Sequence, residues 1–156
     1  MTDQIVDVLL VEDNPDDAEL ALFAFKKNNF CNRLHIVRDG AEALEYIFGT
    51  GAYAGRKIDP PPRLILLDLK LPKVDGLEVL RQVKSDPRTK STPIVMLTSS
   101  CEEKDLVASY NLGVNSYIVK PVDFQQFVEC ARTLGLYWLL LNEPPAHTIG
   151  KRATAA

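Results

Sequence analysis

The chain has 156 residues, 46% of them hydrophobic and 25% charged, and a formal charge of −3. That length and composition suit one ordinary globular core. The mildly acidic balance excludes the basic stripe of a dedicated nucleic-acid binder. The longest purely apolar stretch, Leu136 to Leu141, is far too short to span a bilayer, so no membrane partner is expected. No basic-then-apolar leader is visible at the start. Cys31, Cys101 and Cys130 are odd in number, widely spaced and outside any CxxC pattern, which reads as reduced thiols in a cytoplasmic protein. His35 and His147 are isolated, so a histidine-based metal site is not expected.

The first apolar run, Ile5–Val11, reads as a strand and is followed directly by Glu12-Asp13. Ala18, Ala21, Leu22 and Phe25 then recur at helical spacing, with Asp16 and Asp17 in the opening turn, where the helix dipole favours acids. Arg33–Val37 reads as a second strand, and Ala43, Leu44 and Ile47 as a second helix ended by Gly49. Thr50 to Pro62 is a loop rich in Gly and Pro. Its Pro60-Pro61-Pro62 run is expected to be extended polyproline II feeding the third strand, Leu64–Leu67. Asp68 follows that strand directly. Leu77, Leu80 and Val83 mark a third helix, set between Asp75-Gly76 and the breaker Asp86-Pro87.

Pro93–Leu97 reads as a fourth strand, closed by Thr98 and followed by the small residues Ser99 and Ser100. Leu106, Val107, Tyr110 and Leu112 give a fourth helix closed by Gly113. Ser116–Val119 is the fifth strand, closed by Lys120-Pro121. A fifth helix starts at Asp123 as its N-cap, carries Phe127, Val128, Ala131 and Leu134, and is expected to run to about Leu141. Strict β-α alternation predicts a doubly wound parallel sheet with right-handed crossovers. The expected strand order is 2-1-3-4-5, the flavodoxin-like arrangement.

That order brings the ends of strands one and three together, and with them Glu12, Asp13 and Asp68. At ~4 Å and an effective dielectric near 20, each like-charged pair costs about 4 kcal/mol. Such a cluster must take up protons or hold a cation. Thr98, Lys120 and Tyr117, three residues ahead of the lysine, fall at the same rim. Each residue alone has a plainer reading. Asp68 can be a turn former or N-cap, Glu12-Asp13 dipole-favouring charge, Thr98 a cap, Lys120 a solvated lysine and Tyr117 a strand aromatic. One fold that gathers all six on one rim favours the joint reading.

Taken in order, VEDNPDD, LLDLKLPKVDG, MLTSS and YIVKP resemble the response-regulator receiver domains of two-component signalling, over residues 5 to about 141. The ending YWLLLNEPP and the Pro-rich loop give a narrower resemblance to single-domain, cyanobacterial-type phytochrome response regulators. The resemblance implies that Asp68 takes a phosphoryl group from a phosphohistidine on a sensor histidine kinase, a phytochrome in the narrower reading. It implies Mg²⁺ held by Asp13, Asp68 and the backbone carbonyl of Lys70, with Glu12 acting through a water. It makes Lys120 and Thr98 the phosphoryl-binding pair, with Tyr117 turning inward as Thr98 moves, and it implies a cis bond at Lys120-Pro121. Leu71 stands where many receivers carry Met, a volume-conserving change. Lys70 and Ser100 flank the approach for attacking water.

The expected organisation is a receiver domain over 1–141 and a tail over 142–156, with no output module. The chain would then be a stand-alone regulator that catalyses only its own phosphorylation and dephosphorylation, or a relay intermediate that passes the group on. Phe124, Phe127, Tyr137 and Trp138 exceed what one core needs and are expected to form a partner surface, favouring a homodimer. An aspartate-nucleophile phosphohydrolase would carry a second Asp where Lys70 stands, and would need a cap for its substrate. A flavodoxin-like cofactor site would need Gly, Ser or Thr in the acidic first loop. Both alternatives fit poorly.

Overall fold

Val8–Val11 (β1), Leu34–Val37 (β2), Leu64–Leu67 (β3), Ile94–Thr98 (β4) and Ser116–Val119 (β5) form one parallel sheet in the order β2-β1-β3-β4-β5. These elements come from a computed structural model that describes residues 6–28, 33–121 and 123–145. Cys31, His147 and most of the expected tail lie outside the described residues. Between and after the strands run Pro15–Asn28 (α1), Gly40–Phe48 (α2), Gly76–Ser85 (α3), Glu103–Asn111 (α4) and Phe124–Leu134 (α5). The flavodoxin-like topology is the one the β-α alternation predicts.

The continuous apolar runs are central because both faces of the sheet are covered. Every residue of β1, β3 and β4 is buried, whereas β2 and β5 at the edges are largely half-buried. Side chains alternate between two cores. Val8 and Leu10 point with Leu64 and Leu66 toward Ala21 and Phe25 of α1 and Phe127 of α5. Leu9 and Val11 point with Ile65 and Leu67 toward Ile47 of α2 and Leu80 and Val83 of α3.

Two helices differ from expectation. On α4 the buried residue is Ser109, with Leu106 half-buried, while Val107 and Tyr110 face solvent. The strand-facing stripe is therefore narrow and partly polar, and Ser109 meets it by donating its hydroxyl to the Asp105 carbonyl at 2.8 Å. The α-helical part of α5 ends at Leu134, and Gly135–Leu141 continues as a π-helical segment. Its wider turn shows in the bond from Asn142 N to Tyr137 O, five residues back.

The long loop is folded down rather than projecting. Gly51–Tyr53 forms a short 3₁₀ turn that sets the Tyr53 ring edge-on to Tyr46 and His35, at 5.0 and 5.6 Å between centroids. The Arg56 guanidinium lies 3.9 Å over the Tyr46 ring and donates to the Tyr46 carbonyl at 2.8 Å. The Asp59–Pro60 bond that leads into the Pro run is cis.

Candidate functional site

The site is assembled by extending the sheet's hydrogen-bond ladder one residue past the strands. Asp68 N donates to Val11 O at 3.1 Å, Glu12 N to Val37 O at 3.0 Å, and Lys120 N to Thr98 O at 2.7 Å. Backbone pairing, not loop chance, therefore sets where these side chains start. Since Leu67 pairs with Met96, Asp68 lies beside Leu97, with Thr98 one residue further along the rim.

The carboxylate oxygens of Glu12, Asp13 and Asp68 fall within 4.8 Å of one another. Lys120 reaches into this group from β5. Its Nζ donates to Glu12 Oε1 at 2.6 Å, to Asp17 Oδ2 at 2.9 Å and to Asp68 Oδ2 at 3.1 Å. These are charge-assisted bonds in a place where little water enters, because the Lys120, Glu12 and Asp68 side chains are each largely buried. The second oxygens are also engaged: Asn14 N donates to Glu12 Oε2 at 3.2 Å, and Lys70 N to Asp68 Oδ1 at 3.3 Å.

The electrostatics follow from burial. Loss of water pushes the Glu12 carboxyl up to about 7, against the hydrogen bond from Lys120, and the charge of Asp68 adds to the rise. Burial also works against the Lys120 ammonium, but hydrogen bonds to Glu12 and Asp17 and the charge of Asp68 outweigh it, so Lys120 is held above its ordinary value. A 2.6 Å contact between an ammonium and a carboxylate is an ion pair. The raised Glu12 value reflects burial first and the neighbouring charge of Asp68 second. Glu12, Asp17 and Asp68 share one ammonium, and the group of Glu12, Asp13 and Asp68 suits a divalent ion with oxygen ligands, to which exposed Asp13 gives an open side.

The mouth is an open cleft of about 480 Å³ bordered by Asp13, Lys70, Pro72, Asp75 and Asp105, among others. Opposite Asp68, Thr98 is buried and its Oγ1 accepts from Ser100 N at 3.3 Å. Ser100 Oγ donates to Asp105 Oδ2 at 2.6 Å, and the Tyr117 hydroxyl donates to the Ser100 carbonyl at 2.9 Å.

The structure thus brings Glu12, Asp13, Asp68 and Lys120 together, and it sets Thr98, Lys70 and Tyr117 around them. Two expectations need correction. The cis bond expected at Lys120–Pro121 is absent; trans is the default for X–Pro, and the cis bond found among the described residues is Asp59–Pro60. Phe127 is core, not surface, and Trp138 is half-buried against the same core; Phe124 and Tyr137 are exposed as expected. One site residue was missed, Asp17. It stands at the third position of α1, where its backbone N donates to Oδ1 of the N-cap residue Asn14 and its side chain accepts from Lys120. Its dipole role looked sufficient in the sequence.

A rim of this composition on a 2-1-3-4-5 sheet defines a receiver domain, and residues 8–132 match the response regulator receiver domain family. The chain belongs to that family. It is 39% identical to the response regulator Rcp1 of Synechocystis over 139 residues, covering 89% of this chain and 92% of Rcp1. The Mn²⁺-bound crystal structure of Rcp1 superposes with a TM-score of 0.81, covering 89% of this chain and 98% of that one. The phosphorylated cyanobacterial phytochrome response regulator RcpA superposes at 0.83 with 39% identity, covering 92% and 100%. The bacteriophytochrome response regulator AtBRR is 54% identical, with a TM-score of 0.71 and coverage of 90% and 99%. Single-domain phytochrome response regulators are therefore among its near relatives.

Proposed function

We propose that this chain is a stand-alone response regulator that accepts a phosphoryl group on Asp68 from a phytochrome-type sensor histidine kinase in the cytoplasm, and signals by binding a partner or a second copy of itself. The observation that carries this reading is Lys120 Nζ bonded at once to Glu12 and Asp68 beside the exposed carboxylate of Asp13. A phosphoryl acceptor needs a carboxylate, a fixed cation for the incoming oxygens and acids for a metal. This rim has all three.

Asp13 and Asp68 would hold Mg²⁺ directly, Glu12 through a water and Lys70 through its carbonyl. When bound, the ion offsets the carboxylate charge and orients the donor. Lys70 N on Asp68 Oδ1 and Lys120 on Asp68 Oδ2 fix the nucleophile in a single orientation. Lys120 then faces the phosphoryl oxygens, and Thr98 gives up the Ser100 amide to hydrogen-bond the same group. The Tyr117 hydroxyl loses its hold on Ser100 as that loop shifts, which couples the site to α4.

The partner surface lies on Gly135–Leu141, the segment that continues α5. Tyr137, Leu140 and Leu141 are exposed there, more apolar area than a solvated helix end carries, and Phe124 is exposed at the opposite end, in the first turn of α5. A second copy covering the Tyr137–Leu141 end fits best. Leu140→Lys, in a side chain 58% exposed, tests it without disturbing the core. Sedimentation that stays unchanged with this variant discards the dimer.

The decisive experiment incubates the full chain and Asp68→Asn with Mg²⁺ and acetyl phosphate. Base-labile, hydroxylamine-sensitive label on the parent alone supports the acceptor role; equal label on both overturns it. Rapid passage of that label to a histidine phosphotransfer protein would favour the relay alternative.

A further inference from the structure

We infer that Asp17 is a positioning residue that holds Lys120 in the resting site and is displaced from it by the arriving phosphoryl group. The inference rests on Asp68 being the acceptor. An ammonium has three N–H donors, and on Lys120 all three are taken by carboxylates: Glu12 at 2.6 Å, Asp17 at 2.9 Å and Asp68 at 3.1 Å. A phosphoryl oxygen that binds Lys120 must therefore replace one of them.

Burial decides which one leaves. The Glu12 side chain is 4% exposed and that of Asp68 11%, whereas Asp17 is 36% exposed and can return to water at little cost. Asp17 also stands outside the three-acid group that can share a cation, so its charge is not neutralised when the other acids bind a metal. It remains a full negative charge beside the position that the phosphoryl oxygens take. Its backbone is held independently by the Asn14 cap, at 3.3 Å from Asp17 N to Asn14 Oδ1, so releasing Lys120 leaves α1 intact.

The chemistry at Asp68 balances without a proton. A carboxylate oxygen forms the new O–P bond, the bond from phosphorus to the acetate oxygen breaks, and acetate leaves with that electron pair. Asp17 contributes by controlling when Lys120 is available. In the resting state it keeps the ammonium fixed. Against an anionic donor it is a brake.

The test compares the full-length chain, Asp17→Asn and Asp17→Glu for labelling by acetyl phosphate at saturating Mg²⁺. Asp17→Asn is expected to label at least threefold faster at low ionic strength, with the gain shrinking as salt is raised, because the removed repulsion is screened. The Mg²⁺ half-saturation is expected to stay within twofold, since Asp17 is not a metal ligand. Asp17→Glu keeps the charge and is expected to track the parent. Equal rates for the parent and Asp17→Asn at low salt, or an acceleration independent of salt, overturn the inference. A parent that takes no label while binding Mg²⁺ instead overturns the acceptor reading beneath it.

Discussion

A Cβ added at Gly76 would fall on the carbonyl oxygen of Asp68 and against the backbone of Leu69. The first residue of α3 can approach the acceptor loop only because it has no side chain, and Gly76 N uses that proximity to donate to Leu69 O at 2.8 Å. Backbone on both sides leaves nothing flexible to yield.

Gly76→Ala is therefore expected to push α3 away from the loop after β3. Overpacking of this kind costs about 1–3 kcal/mol. Phosphorylation should fall more than stability alone explains, because the displaced segment includes the Lys70 amide bonded to Asp68. Urea unfolding beside acetyl phosphate labelling separates the two effects. Labelling at the parental rate in a destabilised but folded variant would show that the loop does not depend on this contact.

Divalent metal should stabilise the chain through Asp13. The carboxylates of Glu12, Asp13 and Asp68 gather only in the folded state. At a hundredfold excess over Kd, a ligand of the folded state adds about 2.7 kcal/mol. Asp13 is exposed, so Asp13→Asn should change metal-free stability little while removing most of the Mg²⁺-induced rise in Tm. Thermal melts with Mg²⁺ and with EDTA check this; an undiminished rise in the variant would place the ion elsewhere.

Lys120→Gln should separate binding from transfer. It removes the cation shared by Glu12, Asp17 and Asp68, so metal-free stability is expected to fall, and removing one partner of a buried ion pair costs about 3–5 kcal/mol at most. Mg²⁺ should restore much of that stability, because it supplies a replacement charge, while labelling by acetyl phosphate drops at least tenfold. Calorimetric Mg²⁺ titration paired with labelling distinguishes the roles. Unimpaired labelling would remove Lys120 from the phosphoryl site.

How much of this was legible from residues alone depends on the kind of interaction. The apolar runs ending in Glu12-Asp13 and Asp68 gave both the sheet and its rim, because burial on two faces leaves a continuous hydrophobic signature. Asp17 was not legible, since an acid in a first helical turn already has a local reason to be there. Phe127 and Trp138 were misplaced because periodicity gives a face, not the depth to which the face is buried. The fit of the Thr50–Pro62 loop depends on pairing at a distance in sequence, with Tyr53 packing on His35 and Tyr46.

That loop contact sets a pH dependence. The Tyr53 hydroxyl donates its one proton to Glu42 Oε2 at 2.7 Å, so the 3.1 Å contact with His35 Nε2 needs His35 as donor, with Nδ1 bare. The ring stacks on Tyr46 at 4.5 Å. Burial pushes His35 below its ordinary value of 6.5, opposed by the charge of Glu42 and assisted by that of Arg56. The unfolded chain therefore binds this proton more readily than the folded one. The stability due to neutral His35 is complete above about 6.5 and is lost as pH falls through that value toward the lower folded one. Glu12 works in the opposite direction over an overlapping range, from 4.5 to about 7, because its folded value is raised, so the whole-chain profile mixes both signs. His35→Gln keeps an N–H donor and cannot take the proton. Across pH 7.5 to 5.5, the gap between parent and variant urea midpoints is expected to shift in favour of the variant as pH falls, and a constant gap would mean that His35 titrates alike in both states.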